Sequence, residues 1–423
     1  MRVAIFSWES LQSIAVGGVA VHVSELARSL ASLGRQVHLF TRRGPDQSPY
    51  AFIDGVHHHR CSYQGSSDFI KDTDRMCAGF LHRLAQVERQ DGRFDVLHAH
   101  DWLTAKTLSW ARALPGGARF HVFTVHSTEF GRCGNAHCDG RSRDIRDREW
   151  EGAYHADRVI AVSRHLRDEV QNIYAVPDGK MHVVYNGVDV ARFDIPVDPG
   201  QVKPRYGVAP MDPTVLFCVR MAWQKGPDIL LEAIPPLLGF YPHAKFIFAG
   251  DGDMRWGLEE RARRLGVAHA TRFLGLRSGS ELVELYKSCD LVCIPSRNEP
   301  FGIVLLEAWA AGKPVVATST GGPAELISHG VNGLSIHDNP DSVGWGIGTL
   351  FMDFDNVRRM GRNGRKTLMQ GFDWDTVGHR VAGVYCEAEA SARPPVVSVP
   401  ARPRVRRAVP VSQLLAPAMG TAY

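Results

Sequence analysis

The chain has no run of about eighteen apolar residues, the length a helix needs to cross a membrane. Its opening residues, Met1 to Ser7, are too short and too soon interrupted to act as a signal peptide, so a cytoplasmic location is expected. Charge of one sign is also scarce: 49 Lys and Arg against 45 Asp and Glu leave +4. So mild a balance gives the body of the protein no footprint for nucleic acid, while anionic small ligands remain open. The eight cysteines are scattered, several inside strand-like runs at Cys218, Cys289 and Cys293, which fits reduced buried thiols rather than a disulfide framework. The cluster Cys133, His137 and Cys138 lacks a second ligand pair at zinc-site spacing. The His57-His58-His59 run reads as an exposed loop before it reads as a metal tract. No metal site is therefore expected, and no internal repeat stands out.

At 423 residues the chain is longer than one core usually serves, and roughly two or three domains are expected. Short β-branched runs alternate with helical stretches, the pattern of a parallel sheet wound with helices. Candidate strands of a first sheet are residues 2–7, 37–41, 96–100, 121–126, 158–163 and 182–185; a second series comprises 214–220, 245–250, 271–275, 290–294 and 314–318. The fold class is α/β, with two doubly wound sheets facing a cleft. Residues 1–193 form the first domain, a proline-rich stretch at 194–212 reads as a linker, and 213–371 form the second domain. Residues 391–423 hold Arg393, Arg402, Arg404, Arg406 and Arg407 and no acidic residue. That composition cannot bury a core, so a disordered basic tail is expected, with attraction to acidic surfaces as a lesser reading.

The most informative segment is Glu299-Pro-Phe-Gly-Ile-Val-Leu-Leu-Glu307, which follows a buried strand and turns at Pro300 and Gly302 into an apolar helix. A helix entered this way points free N–H groups and its positive dipole end into the loop, where a phosphate is stabilised. Ionised carboxylates accept hydrogen bonds, so Glu299 and Glu307 are suited to sugar hydroxyls; two solvated acids on a surface helix are the plainer account. Beyond the first strand of the second half, Arg220 and Lys225 offer a fork and a point charge for a diphosphate. Gly250-Asp-Gly-Asp253 and Thr320-Gly-Gly-Pro-Ala-Glu325 end neighbouring strands of the same crevice.

In the first half, Gly17 and Gly18 open a helix and let backbone approach a ligand, although the spaced three-glycine fingerprint is missing and close helix packing explains them too. His126 ends a strand facing the same cleft, where it either meets a sugar hydroxyl or a departing oxygen or is a satisfied structural histidine. His100-Asp101-Trp102 ends another, as an acceptor platform or as a buried Trp with a capping Asp.

In order and placement these motifs, with Asn186-Gly-Val-Asp189, resemble a retaining GT-B glycosyltransferase of family four, close to bacterial and archaeal glycogen synthases, over roughly Met1 to Arg380. The resemblance implies an acceptor domain at 1–193, a donor domain at 213–371, and a C-terminal helix at 372–390 that crosses back. It implies transfer of a hexose, glucose foremost, from a nucleoside diphosphate sugar to a carbohydrate or other hydroxyl acceptor, with no cofactor or metal required. By position, Glu307 would hold the ribose and Glu299 the donor sugar. Arg220 and Lys225 would neutralise the diphosphate, and the backbone of Phe301, Gly302 and Ile303 would contact sugar and phosphates. Gly17, Gly18 and Gly250 fall in the donor site, His126 near the reacting carbon, and Asp101 toward the acceptor. Val16 stands where bacterial glycogen synthases carry a lysine, and the arginine-rich loop at 130–147 departs from a minimal member. A GT-B epimerase or phosphorylase, or a non-catalytic sugar-nucleotide sensor, would share the architecture.

Overall fold

The computed structural model describes residues 1–113 and 119–390. The expected basic tail at 391–423 lies outside them. The first sheet contains β1 (Arg2–Phe6), β2 (Gln36–Arg42), β3 (Tyr50–Ile53), β4 (Val56–Cys61), β5 (Val96–His100), β6 (Phe120–Val125), β7 (Arg158–Ala161) and β8 (Met181–Val183). Their order is β3-β4-β2-β1-β5-β6-β7-β8, and only the β3–β4 pairing is antiparallel. The second sheet, wholly parallel, contains β9 (Thr214–Phe217), β10 (Lys245–Ala249), β11 (Thr271–Gly275), β12 (Leu291–Ile294), β13 (Val315–Thr318) and β14 (Gly333–Ile336). It runs β11-β10-β9-β12-β13-β14. In each sheet the winding reverses beside the first strand, between β1 and β5 and between β9 and β12, and ligands bind at such points.

Burial on both faces explains why the central strands are apolar throughout: Val3 to Phe6 and Val215 to Phe217 are fully buried. The helix Gly18–Ser32 lays Ala20, Val23, Leu26, Ala27 and Leu30 on the first sheet at helical spacing. The closing helix, Trp374–Ala390, packs Trp374, Val377, Val381 and Tyr385 into the same cluster as Val3 and Ile5. Gly378 lets it approach, since a Cβ there would stand 2.1 Å from Ser29 Oγ. Among the described residues no helix is long and apolar enough to cross a membrane.

One expectation is corrected. Residues 57–59 are not a loop but part of β4, with His58 and His59 buried. Asp54 (φ 52°) and Gly55 (φ 78°) make a two-residue turn with both residues left-handed, which folds β4 back on β3. His38 Nδ1 lies 2.9 Å from His59 Nε2, and His38 and His57 stack at 4.2 Å. The 194–212 stretch, which joins the two sheets, is packed. It forms short helical turns at Pro199–Val202 and Lys203–Tyr206, and the buried Lys203 bonds to the carbonyl of Asp212 (2.8 Å) and pairs with Asp290 (3.4 Å).

The histidine tier predicts acid lability. Burial lowers His38 to about 2, His59 to about 3 and His58 to about 4, with neighbouring cations and histidines adding to the effect. The unfolded chain therefore binds more protons, so the stabilisation is complete above about pH 6.5 and is lost as pH falls toward those values. Unfolding free energies from denaturant titration should fall between pH 7 and pH 5, by about 1 kcal/mol per pH unit for each of the three histidines. A midpoint that held or rose would contradict the buried neutral tier.

Candidate active site

The loops after β9 and β12 meet at the switch point of the second sheet. A helical turn at Trp223–Lys225 is locked to the next loop by N–H bonds from Arg297 (2.8 Å) and Asn298 (3.2 Å) to the Gln224 carbonyl. Arg297 also pairs with Asp228 at 2.6 Å. Gly226 makes the close approach possible, because at φ 65° an added Cβ would lie 2.1 Å from the Pro295 carbonyl oxygen. This clamp sets Lys225 Nζ 2.8 Å from Glu299 Oε2, which also accepts from Ser296 Oγ at 3.1 Å. Glu299 is buried and paired, so the solvated-acid account fails for it.

Three residues on, Gly302 adopts φ 89° and starts the helix Ile303–Ala310, where the amides of Ile303 and Val304 precede the first bond of the turn, from Leu305 N–H to the Gly302 carbonyl at 2.9 Å. Phe301 is buried and stacks on Tyr185 at 5.9 Å, so only its backbone can meet a ligand. Glu307, one turn further, accepts from Tyr286 Oη at 2.7 Å, and burial raises its carboxyl above the usual range. Arg220 is exposed at the end of the β9 segment. Gly250 and Gly252 let the β10 loop lie against that segment, since a Cβ would fall 2.2 Å from the Val219 carbonyl and 2.4 Å from that of Met221.

The first domain closes the other side. A Cβ on Gly18 would be 3.4 Å from Ile303 Cδ1, so the glycine turn abuts the helix start. Gly131 similarly sits against Asn298 and Gly134 against Trp223. Just before them, His126 has Nε2 3.1 Å from His100 Nδ1, and burial depresses it to about 3. The imidazole is therefore neutral at ordinary pH.

The family described as "Glycosyltransferase Family 4" matches residues 16–192, and "Glycosyl transferases group 1" matches residues 201–367. A glycosyltransferase of Methanocaldococcus jannaschii is 36% identical over 392 residues, covering 91% of this chain and 98% of that protein. The chain is a group 1 glycosyltransferase of family 4. The glycogen synthase of Mycobacterium tuberculosis is 31% identical over 432 residues, covering 97% of this glycosyltransferase and all of that one. The solved sucrose-phosphate synthase of Thermosynechococcus elongatus superposes with a TM-score of 0.78 at 20% identity, over 92% of this chain and 100% of that one. The two sheets and these likenesses establish the GT-B fold.

Several of these residues have structural partners in the folded glycosyltransferase. The Gly17 amide is already satisfied: Glu9 Oε2 accepts from Val16 (2.6 Å) and Gly17 (2.8 Å), leaving Gly18 as the glycine at the interface. Asp101 accepts from the His126 amide at 3.0 Å through its buried carboxylate and ties down that turn. Within the arginine-rich stretch at 130–147, residues 141–147 enter the helix Arg141–His155; Arg132 binds inward to Glu149 at 2.6 Å and Arg146 bonds to the Cys138 carbonyl at 2.6 Å, while Arg141 and Arg143 are exposed. Cys133 bonds to Ser142 at 3.2 Å.

Sequence reading missed Glu9, Tyr286 and His22 as parts of the site, since none stands in a motif. It also left Glu325 without a role: that carboxylate accepts from the amides of Arg164 (3.1 Å) and His165 (2.7 Å) and from Tyr185 Oη (2.8 Å), joining the two domains. Asp101→Ala should destabilise the protein by about 1–3 kcal/mol, the cost of leaving the His126 amide buried and unpaired. Urea denaturation checks this, and an unchanged midpoint would deny Asp101 the anchoring role.

Proposed function

We propose that this glycosyltransferase moves a hexose, glucose foremost, from a nucleoside diphosphate sugar to an acceptor hydroxyl with retention at the anomeric carbon. The observation that carries the reading is the Lys225–Glu299 pair, 2.8 Å apart beside the helix start at Ile303 and facing Gly18. Likeness to a glycogen synthase supports glucose as the sugar and a glucan among the acceptors.

In this reading Arg220, Lys225 and the amides of Gly302 and Ile303 surround the diphosphate. Glu307 accepts from the ribose, held in place by Tyr286, while Glu299 orients both Lys225 and the sugar hydroxyls. As the bond from the anomeric carbon to the diphosphate breaks, negative charge builds on the leaving oxygen. Fixed cations and dipoles stabilise that charge more than the bound donor, which lowers the barrier. The acceptor oxygen attacks from the same face and passes its proton to the departing phosphate oxygen. Neutral His126 donates or accepts a hydrogen bond at the sugar without adding charge. Because Arg220 and Lys225 supply the positive charge, the transfer needs no metal or cofactor.

A screen of uridine, adenosine and guanosine diphosphate sugars, each with glucans and small sugars as acceptors, tests the proposal. One donor should release nucleotide only when acceptor is present, with product of unchanged anomeric configuration. Binding of no donor would sink the reading, and release without acceptor would favour epimerase chemistry.

A further inference from the structure

We infer that the protein carries a site for a borderline divalent cation such as zinc, formed by His22, His100 and His126. These residues come from the helix Gly18–Ser32, the end of β5 and the turn after β6, yet one imidazole nitrogen of each lies within 4.8 Å of the others. The sequence separates them, so their meeting is a product of the fold.

The hydrogen bonds leave suitable lone pairs. His22 Nδ1 lies 2.7 Å from Asn186 Oδ1, and an amide oxygen only accepts, so Nδ1 holds the proton and Nε2 the lone pair. That Nε2 is buried and meets no hydrogen-bond partner among the described residues. Buried nitrogens of this kind are costly unless something occupies them. An imidazole that donates one N–H to an oxygen and aims its other nitrogen inward is the usual arrangement of a metal-binding histidine.

Distances agree. Zinc–nitrogen bonds of about 2.0–2.1 Å place tetrahedral ligand atoms roughly 3.4 Å apart, and His100 Nδ1 already stands 3.1 Å from His126 Nε2. The ring centroids of His22 and His126 are 4.5 Å apart, which brings the third imidazole to the same point. His98 is excluded as a ligand because both its nitrogens are engaged, at 2.7 Å from Tyr385 Oη and 2.7 Å from Thr124 Oγ1. An all-imidazole set selects zinc, copper or nickel over magnesium or calcium, which prefer oxygen. The Asp101 carboxylate, on the His126 amide, supplies negative charge close by, and partly exposed His126 provides the way in. Since His126 is assigned above to the donor sugar, metal and donor compete for one imidazole; this consequence rests on that assignment.

The test titrates zinc chloride into the untagged full chain after chelator treatment, with neither donor nor acceptor present. One equivalent should bind, and X-ray absorption should show three imidazole nitrogens at about 2.0 Å. His22→Gln and, separately, His126→Gln should each weaken binding at least about tenfold, with circular dichroism confirming that the variants fold. The double variant Cys133→Ser, Cys138→Ser should bind as the parent does. Sulfur ligation, loss of binding in the cysteine variant, or unchanged affinity in both histidine variants would overturn the site. Donor binding that one equivalent of zinc leaves unaltered would overturn the competition. Metal binding is read here without turnover, so failure of this inference and failure of the transfer reading are separate results.

Discussion

Lys225→Ala should lower transfer by about a hundredfold or more, the usual effect of removing one strong donor to a developing negative charge. The Lys225 side chain is 17% exposed and its ammonium is fixed by Glu299, so it is preorganised rather than recruited from solvent. Its attraction to the diphosphate grows as the leaving oxygen gains charge, so kcat should fall more than donor affinity. Removing it also leaves Glu299 buried without its cation, still holding Ser296. The carboxylate then faces the phosphates unneutralised, which adds to the loss. Steady-state kinetics with the donor found in the screen decides the matter. A variant that turned over like the parent would remove Lys225 from the mechanism.

Trp374→Ala should cost about 3–5 kcal/mol of stability, the range for truncating a buried Trp. The ring is 4% exposed, sits in the cluster of Val3 and Ile5, and meets the edge of His22 at 5.5 Å between centroids. A Cβ on Gly187 would be 3.0 Å from the indole, so the chain just after β8 packs directly on it. Its indole N–H finds no partner among the described residues, so packing rather than hydrogen bonding holds the ring. Trp374→Phe should therefore retain most of the stability, since the apolar contact survives. Urea denaturation of the two variants checks the order, and a loss below about 1 kcal/mol for alanine would mean the helix Trp374–Ala390 is not held by this residue.

Much of this protein is legible before folding is considered. The parallel strands declare themselves through short β-branched runs, because strands covered on both faces have no solvent side to record. The donor loop is equally plain: Glu299, Gly302 and Glu307 are local, and strand, turn and helix start follow from adjacent residues. β4 escaped notice because its residues, Val56-His-His-His-Arg-Cys61, look polar, and only the neighbouring Asp54-Gly55 turn betrayed a hairpin. β14, Gly333–Ile336, is too short and mixed to show a period. The docking of residues 194–212 depended on Lys203 finding Asp290, a partner 87 residues away.

By itself, then, the sequence determined the α/β class, the two-sheet plan and the residues of the donor loop, because each depends on neighbours along the chain. Tertiary structure alone decided that Lys225 meets Glu299 across 74 residues, that Asp101 anchors the His126 amide, and that His22, His100 and His126 share one point in space. Those outcomes depend on which strand ends lie side by side. Local propensity and hydrophobic period act over a few residues, whereas hydrogen bonds and ion pairs form wherever packing brings their groups within about 3 Å.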